Sequence, residues 1–474
     1  MKNLGIVCRA GRQFVFLWLF VVLAVMQGCQ KEKPNSDPNP NPEYDSEVYE
    51  YIQSLYYYVY YWNKEVESNI LKRPPTSGDP EVYFESLKYN SQKASASDRE
   101  AKRYDRWGFM TTYLDFAGVL IEGEYKSFGY NIDIASDQSI RVCFVYKDSP
   151  MDNANVKRGY QLLKLGGVNI ETLIKNGTIN TELNKESNTY VFADHAGKEL
   201  EEKIISKAVV KIDPILSNTI YEVGEKKVGY IAYNTFIFSS KVAITDALQK
   251  MKDVDEFILD LRYNGGGYTD VAEAICEHLL PAEYNDSVVF AKFVFSELTK
   301  ERTKWNDQII KIKRRAQAMN LKRMFVITAG GTASASEEVI NDMSAFLEMI
   351  KVGTTTHGKP VGMGVWYYPD YSEKEIDAGK IPDWAFAPIT FRNDNKDGEG
   401  SYFSGILPTH RVLDDLYHDY GVDSETLEGE GCLQAVMKYI QTGSFPASVS
   451  AKSVQQETSE LFQLKGLQIH AGCR

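Results

Sequence analysis

The sequence predicts an α/β fold built on a largely parallel sheet, and three observations carry that prediction. From about residue 206 to 443, short apolar runs alternate with helical patterns. The runs are nearly continuous in apolar residues, as in strands covered on both faces, rather than alternating with polar ones. Two of them end in turns rich in glycine or small residues, which is where α/β sheets place their sites.

The first element is a targeting segment. Lys2, Arg9 and Arg12 precede an uninterrupted apolar run from Phe14 to Met26, and Gly28-Cys29 follows. The run is shorter than the ~20 residues that span a bilayer. A small residue before Cys at the end of such a run resembles the bacterial lipoprotein signal. That resemblance implies removal of residues 1–28, a lipid on Cys29 as the membrane anchor, and export to the cell envelope, at the periplasm or the cell surface. Met26 and Gln27 depart from the usual residues of the signal, and an uncleaved membrane anchor is the alternative. Residues 29–43, rich in Pro, Asn and charge, read as a flexible tether with nothing to bury.

Residues 44–112 read as a helical cap region. Its tyrosines favour strand, but Val48, Ile52, Leu55, Val59, Trp62 and Val66 recur at the spacing of one helix face, with Asp45 or Ser46 available as N-cap. From 113 to 205 the pattern changes. SFGYNIDI and IRVCFVY read as strands, and a turn, a short helix, a strand and a Gly-Gly turn follow. With Phe128-Gly129-Tyr130, Ser149-Pro150, Ala154, Arg158-Gly159 and Leu162 to Val168, this stretch resembles a PDZ domain. Such a domain adds a peptide to a sheet edge and captures its C-terminal carboxylate on backbone N–H groups. The resemblance places Phe128, Gly129 and Tyr130 at the carboxylate loop; a spacer that binds nothing is the alternative.

In residues 206–443 the expected order is strand Val228–Tyr233, helix Lys241–Met251, strand Phe257–Arg262 and helix Asp270–Leu280. Strand Met324–Thr328, helix Ser334–Leu347 and strand Met349–Thr354 come next. Residues 444–474 read as a loosely attached extension. The net charge of −12 argues against a nucleic-acid partner, because phosphate binding needs a basic patch. Of six cysteines, Cys8 and Cys29 fall to the signal, and Cys143 and Cys276 sit in apolar patterns. Cys432 and Cys473 could pair. No metal-ligand spacing occurs and no cofactor is implied.

Chemistry concentrates in ILDLRYNGGG (Ile258 to Gly267), FVITAGGTASASEE (Phe325 to Glu338) and VGTTTHGKPVGM (Val352 to Met363). Together with YFSGILPTHRV (Tyr402 to Val412), these resemble the C-terminal processing, or tail-specific, serine peptidases. The family pattern is a DLRxNxGG turn, an SAS-E turn and a T-x-GK segment. The resemblance implies a crotonase-like peptidase core, peptide or protein substrates, Ser334 as nucleophile and Lys359 as its base. A serine hydroxyl needs a neighbouring base and an exposed turn to become reactive, and a lysine can be that base only when neutral. The oxyanion hole falls to the backbone N–H groups of Gly266 and Ala335. Asp260 and Arg262 are expected to brace the turn.

The chain departs from the family in two places. Met363 stands where many members carry Gln, and Ala345 where many carry Asp, so Asn341, Asp342 or Thr355 are the candidate polar supports. Ser336 is a rival nucleophile, better read as capping the same helix, and His357 is a rival base. Two other readings remain: a weakly catalytic peptide-binding lipoprotein that keeps the fold, and an α/β esterase, which the missing GxSxG disfavours.

Overall fold

A computed structural model describes residues 46–446. The signal, the tether, Asp45, Cys29, Cys473 and nearly all of the extension lie outside the described residues. Among those described, no helix is long and apolar enough to cross a membrane.

The chain forms two compact units. One contains residues up to Tyr113 together with Phe293–Gln308 and Val361–Arg392; the other contains Leu114–Lys292, Ile309–Pro360 and the residues from Asn393 onward. In the first unit, helix α1 (Glu47–Tyr58) buries Val48, Ile52 and Leu55, as the spacing predicted. It stops earlier than the periodic pattern does, and Val59, Trp62 and Val66 are buried from the turns that follow. The Tyr56 and Tyr60 rings meet at a tilt of 50° with centres 4.6 Å apart, and the Tyr60 hydroxyl donates to Asp105 at 2.8 Å. Strand Phe109–Thr112 pairs antiparallel with Trp384–Ala387, which also pairs with Trp366–Tyr368. This unit therefore draws on segments far apart in sequence, which a division at residue 112 does not anticipate.

Among the described residues, the second unit holds two six-stranded sheets and a two-stranded one, Glu124–Ser127 with Ala208–Lys211. The first runs β1 (Tyr130–Ile134), β2 (Ile140–Val145), β3 (Gln161–Leu165), β4 (Ser187–Ala193) and β5 (Lys203–Ser206), with the short strand Val168–Asn169 also paired to β3, antiparallel throughout. Its core gathers Ile132, Val142, Leu162, Leu165, Ile170, Leu173 and Tyr190.

The other six-stranded sheet runs β6 (Ile215–Val223), β7 (Lys226–Tyr233), β8 (Glu256–Asp260), β9 (Arg323–Thr328), β10 (Glu348–Gly353) and β11 (His410–Arg411), in sequence order. Only β6/β7 is antiparallel; the other four pairs are parallel. Helices α2 (Ser240–Lys250), α3 (Thr269–Leu279) and α4 (Ala335–Met343) cover one face. Ile244, Leu248, Ile275, Leu279, Val339 and Met343 pack there on Ile231, Leu259 and Val326. Helix α5 (Gly431–Thr442) covers the other face, with Leu433, Val436 and Ile440 on Tyr230, Ile258 and Phe325. Consecutive strand residues thus point into opposite cores, which is why the runs read as apolar throughout. Each such aliphatic side chain contributes roughly 1.5–3 kcal/mol.

Candidate active site

The C-terminal ends of β8, β9 and β10 are adjacent in the parallel sheet, and the three motif turns leave from them. The turn after β9 carries Ser334, which has φ +56° at the N-cap of α4. A non-glycine residue held at positive φ costs about 1–3 kcal/mol and persists only where its surroundings enforce it. A strand-to-helix turn of this kind presents a serine hydroxyl outward.

The surroundings that enforce it are a set of hydrogen bonds. The Asn264 carbonyl accepts from Ala333 N–H (3.1 Å) and from the Ser336 hydroxyl (3.0 Å). The Thr332 hydroxyl donates to Leu261 O at 2.7 Å, and His357 N–H donates to Thr332 O at 2.9 Å. Gly266 lies so close that a Cβ there would come 2.7 Å from Ser334 Cβ, and its φ is +97°. Only glycine meets both conditions.

The segment after β10 is joined to the serine turn by one buried carboxylate. Glu337 Oε2 accepts from Ser334 N–H (3.1 Å) and Lys359 N–H (2.7 Å). Its Oε1 accepts from Gly358 N–H (2.7 Å) and the Thr356 hydroxyl (2.5 Å). Two backbone nitrogens sharing one oxygen are necessarily close neighbours, so Ser334 and Lys359 are brought together at the backbone. Burial pushes the Glu337 carboxyl up from its ordinary value, opposed by these four hydrogen bonds. Ser334 and Lys359 are half-buried, while His357 is exposed.

Several expectations need correction. Ser336 does not cap α4; Ser334 holds the N-cap position, and the fully buried Ser336 ties the helix to the glycine turn. Asn341 and Asp342 are not supports for Lys359. They sit at the far end of α4, about 11–12 Å along the axis from Ser334, where Asn341 donates to Glu399 O and Asp342 accepts from Asn393. Thr356 rather than Thr355 makes the polar contact. Glu337 went unrecognised, although Ser334-x-x-Glu337 has the spacing of a capping box.

The expected oxyanion donors differ in state. Ala335 is the first residue of α4, where an N–H has no partner within the helix. Gly266 N–H donates to Asn264 Oδ1 at 2.9 Å, so it is available to an oxyanion only by sharing or after Asn264 turns away.

Arg262 braces the turn as expected, and more widely. Fully buried, it donates to Asp260 (2.6 Å), Asp414 (2.9 Å) and Glu430 (2.6 Å). Asp414 also pairs with Arg158 at 3.0 Å, and Arg158 donates to the Tyr263 hydroxyl (2.6 Å) and Cys143 O (2.6 Å). Arg158 follows β2 in the antiparallel sheet and Tyr263 lies in the glycine turn, so this network links that sheet to the site. The neighbouring arginines hold the Asp414 carboxyl below its usual range despite burial.

In the antiparallel sheet, the Phe128 and Tyr130 side chains are buried against Tyr190, at 5.4 and 6.2 Å between ring centres. Gly129 N–H donates to Ser127 Oγ at 3.1 Å. β1 is an edge strand. Opposite Ile132, Val142 makes its backbone bonds to Gly159 and Tyr160, so Ile132 faces away from β2. The N–H groups of Ile132 and Ile134 are met by Asn131 Oδ1 (2.8 Å) and Asp133 Oδ1 (2.7 Å). An added peptide strand would have to displace both side chains.

Cys143, Cys276 and Cys432 are buried thiols whose pKa values burial raises. Among the described residues, no cluster of His, Cys, Asp and Glu is arranged to hold a metal ion.

Residues 227–383 match the model of peptidase family S41, which places an S41 segment over Ser334 and Lys359; that family is one of serine-type peptidases. Over 252 residues the chain is 24% identical to the carboxy-terminal processing protease CtpB of Bacillus subtilis (strain 168), covering 50% of this chain and 48% of that one. The chain thus spans about half the length of this curated relative. A crystal structure from Bacteroides fragilis NCTC 9343, described as an S41 protease, superposes with a TM-score of 0.62 at 21% identity, covering 83% of this chain and 97% of that one. The fold is therefore the mixed α/β fold of such a structure. The photosystem II D1 C-terminal processing protease gives a TM-score of 0.48 at 14% identity, over 84% of this chain and 97% of that one.

Proposed function

We propose that this protein is a serine endopeptidase of the C-terminal processing type, acting on envelope or extracellular polypeptides with Ser334 and Lys359 as a dyad. The observation that carries the proposal is the Glu337 carboxylate, which holds the backbones of Ser334 and Lys359 on a single oxygen. In the reaction, Ser334 Oγ attacks the scissile carbonyl carbon and its proton passes to neutral Lys359 Nζ. The oxyanion is held by Ala335 N–H and by Gly266 N–H once Asn264 Oδ1 releases it. Lys359 then returns the proton to the departing amine as the C–N bond breaks, and water hydrolyses the acyl-enzyme by the same route.

In this reading residues 206–443 contain a crotonase-like core, 113–205 a PDZ-like domain, and 44–112 contribute a helical cap. The protein is exported and held at the envelope by a lipid on Cys29. Support for the PDZ-like assignment is the antiparallel sheet with β1 at its edge and the positive φ of Gly129, +78°. A second reading, a peptide-binding lipoprotein with little activity, is favoured by Gly266 N–H being already engaged.

A fluorophosphonate probe and an unfolded protein substrate distinguish the two. The peptidase reading expects labelling and hydrolysis, both abolished in Ser334→Ala with the fold retained. Labelling of Ser334→Ala equal to that of the unaltered protein would overturn the assignment.

A further inference from the structure

We infer that Phe238 and Tyr268 form an apolar wall beside the nucleophile that selects a large apolar side chain within two residues of the scissile bond. The inference rests on the peptidase reading above. Exposed phenylalanines are ordinary on protein surfaces, and what distinguishes Phe238 is its attachment. Its neighbour Ile237 is buried, while Phe238 itself is 55% exposed. Two residues earlier, Phe236 N–H donates to Gly266 O at 3.0 Å, and Phe236 O accepts from Tyr268 N–H at 2.8 Å. The Phe238 and Tyr268 rings then meet edge to face at 6.1 Å. Lys241 and Asp270 join the same two segments by an ion pair at 2.8 Å. On the first turn of α2, Val242 adds a side chain that is 69% exposed.

This apolar surface is fixed to the glycine turn that packs on Ser334. Tyr268 lies two residues beyond Gly266, and consecutive Cα atoms are about 3.8 Å apart, so its Cα is within about 8 Å of the residue touching the nucleophile. An extended substrate advances about 3.3 Å per residue, so a side chain one or two positions from the bond being cut reaches the wall. Apolar side chains gain by covering the exposed ring and Val242, whereas a carboxylate placed there would be desolvated without a partner.

The test maps cleavage sites by mass spectrometry for the full chain acting on a degenerate peptide library. The unaltered protein should prefer Leu, Met or Phe near the cut over Ser or Glu by about tenfold in kcat/KM. Phe238→Ala should bring that ratio close to one, and Phe238→Lys should move the preference toward acidic residues. Both changes fall on an exposed side chain, and an unchanged Tm verifies the fold. Wild-type preferences in both variants would overturn the inference while leaving the peptidase reading intact. Absence of any cleavage or Ser334 labelling by the unaltered protein would overturn both.

Discussion

Replacing Glu337 with glutamine isolates the contact that joins the two halves of the site. The carboxylate accepts four hydrogen bonds, two on each oxygen. Glutamine keeps the shape but turns one acceptor into a donor. Its least costly orientation points the NH2 group at Thr356, whose oxygen already accepts from Ile406 N–H at 2.7 Å and can accept once more, and leaves Gly358 N–H unmet and the Thr356 hydroxyl hydrogen without its carboxylate acceptor. One buried unmet donor costs about 1–3 kcal/mol. Glu337→Gln should therefore lower Tm by a few degrees and cut kcat by about ten- to a hundredfold, with KM changing much less, because the acyl-transfer geometry is lost rather than the substrate contacts. Glu337→Ala leaves all four donors without the carboxylate and should be worse on both counts. The assay is steady-state cleavage of an unstructured peptide, paired with the rate of fluorophosphonate labelling and thermal melts. Labelling by Glu337→Gln within twofold of the unaltered rate would refute the view that this carboxylate positions Ser334 against Lys359.

Lys359→Ala should abolish hydrolysis while His357→Ala, at an exposed position, should cost little; equal losses would move the base to the histidine. Glu338 is buried on α4 with one oxygen lacking a hydrogen-bond partner, and burial raises its carboxyl pKa, with Asp342 and Glu273 adding to the effect. Burial likewise pushes Asp342 and Glu273 up to about 7. The folded chain therefore keeps protons that the unfolded chain releases near pH 4, so stability falls as pH rises from there through about 7. Glu338→Gln should raise Tm at pH 8.5 and leave it nearly unchanged at pH 4.5; the same shift at both values would refute the titration. A peptide substrate offered as free acid should be cleaved faster than its C-terminal amide, mainly through a lower KM, and identical kinetics would make the PDZ-like domain a spacer.

What the sequence determined by itself was set by local periodicity and by residues with narrow physical uses. The α/β order and the buried face of α1 follow from spacing, because a helix or a doubly covered strand leaves a repeat in the chain. The three motif turns followed from small residues, since a tight turn and the approach of Gly266 to Ser334 admit little else. Tertiary structure decided what depends on partners distant in sequence. It assigned residues 293–308 and 361–392 to the unit with the N-terminal segment, through strand pairing that no local pattern encodes. It turned Ser336 toward Asn264, put Asn341 and Asp342 at the wrong end of α4 to serve Lys359, and engaged Gly266 N–H with Asn264. Above all it gave Glu337 its role. A buried carboxylate can be held by any donors the fold delivers, and these come from the serine turn and from a segment about twenty residues further on, which only the parallel pairing of β9 with β10 brings together.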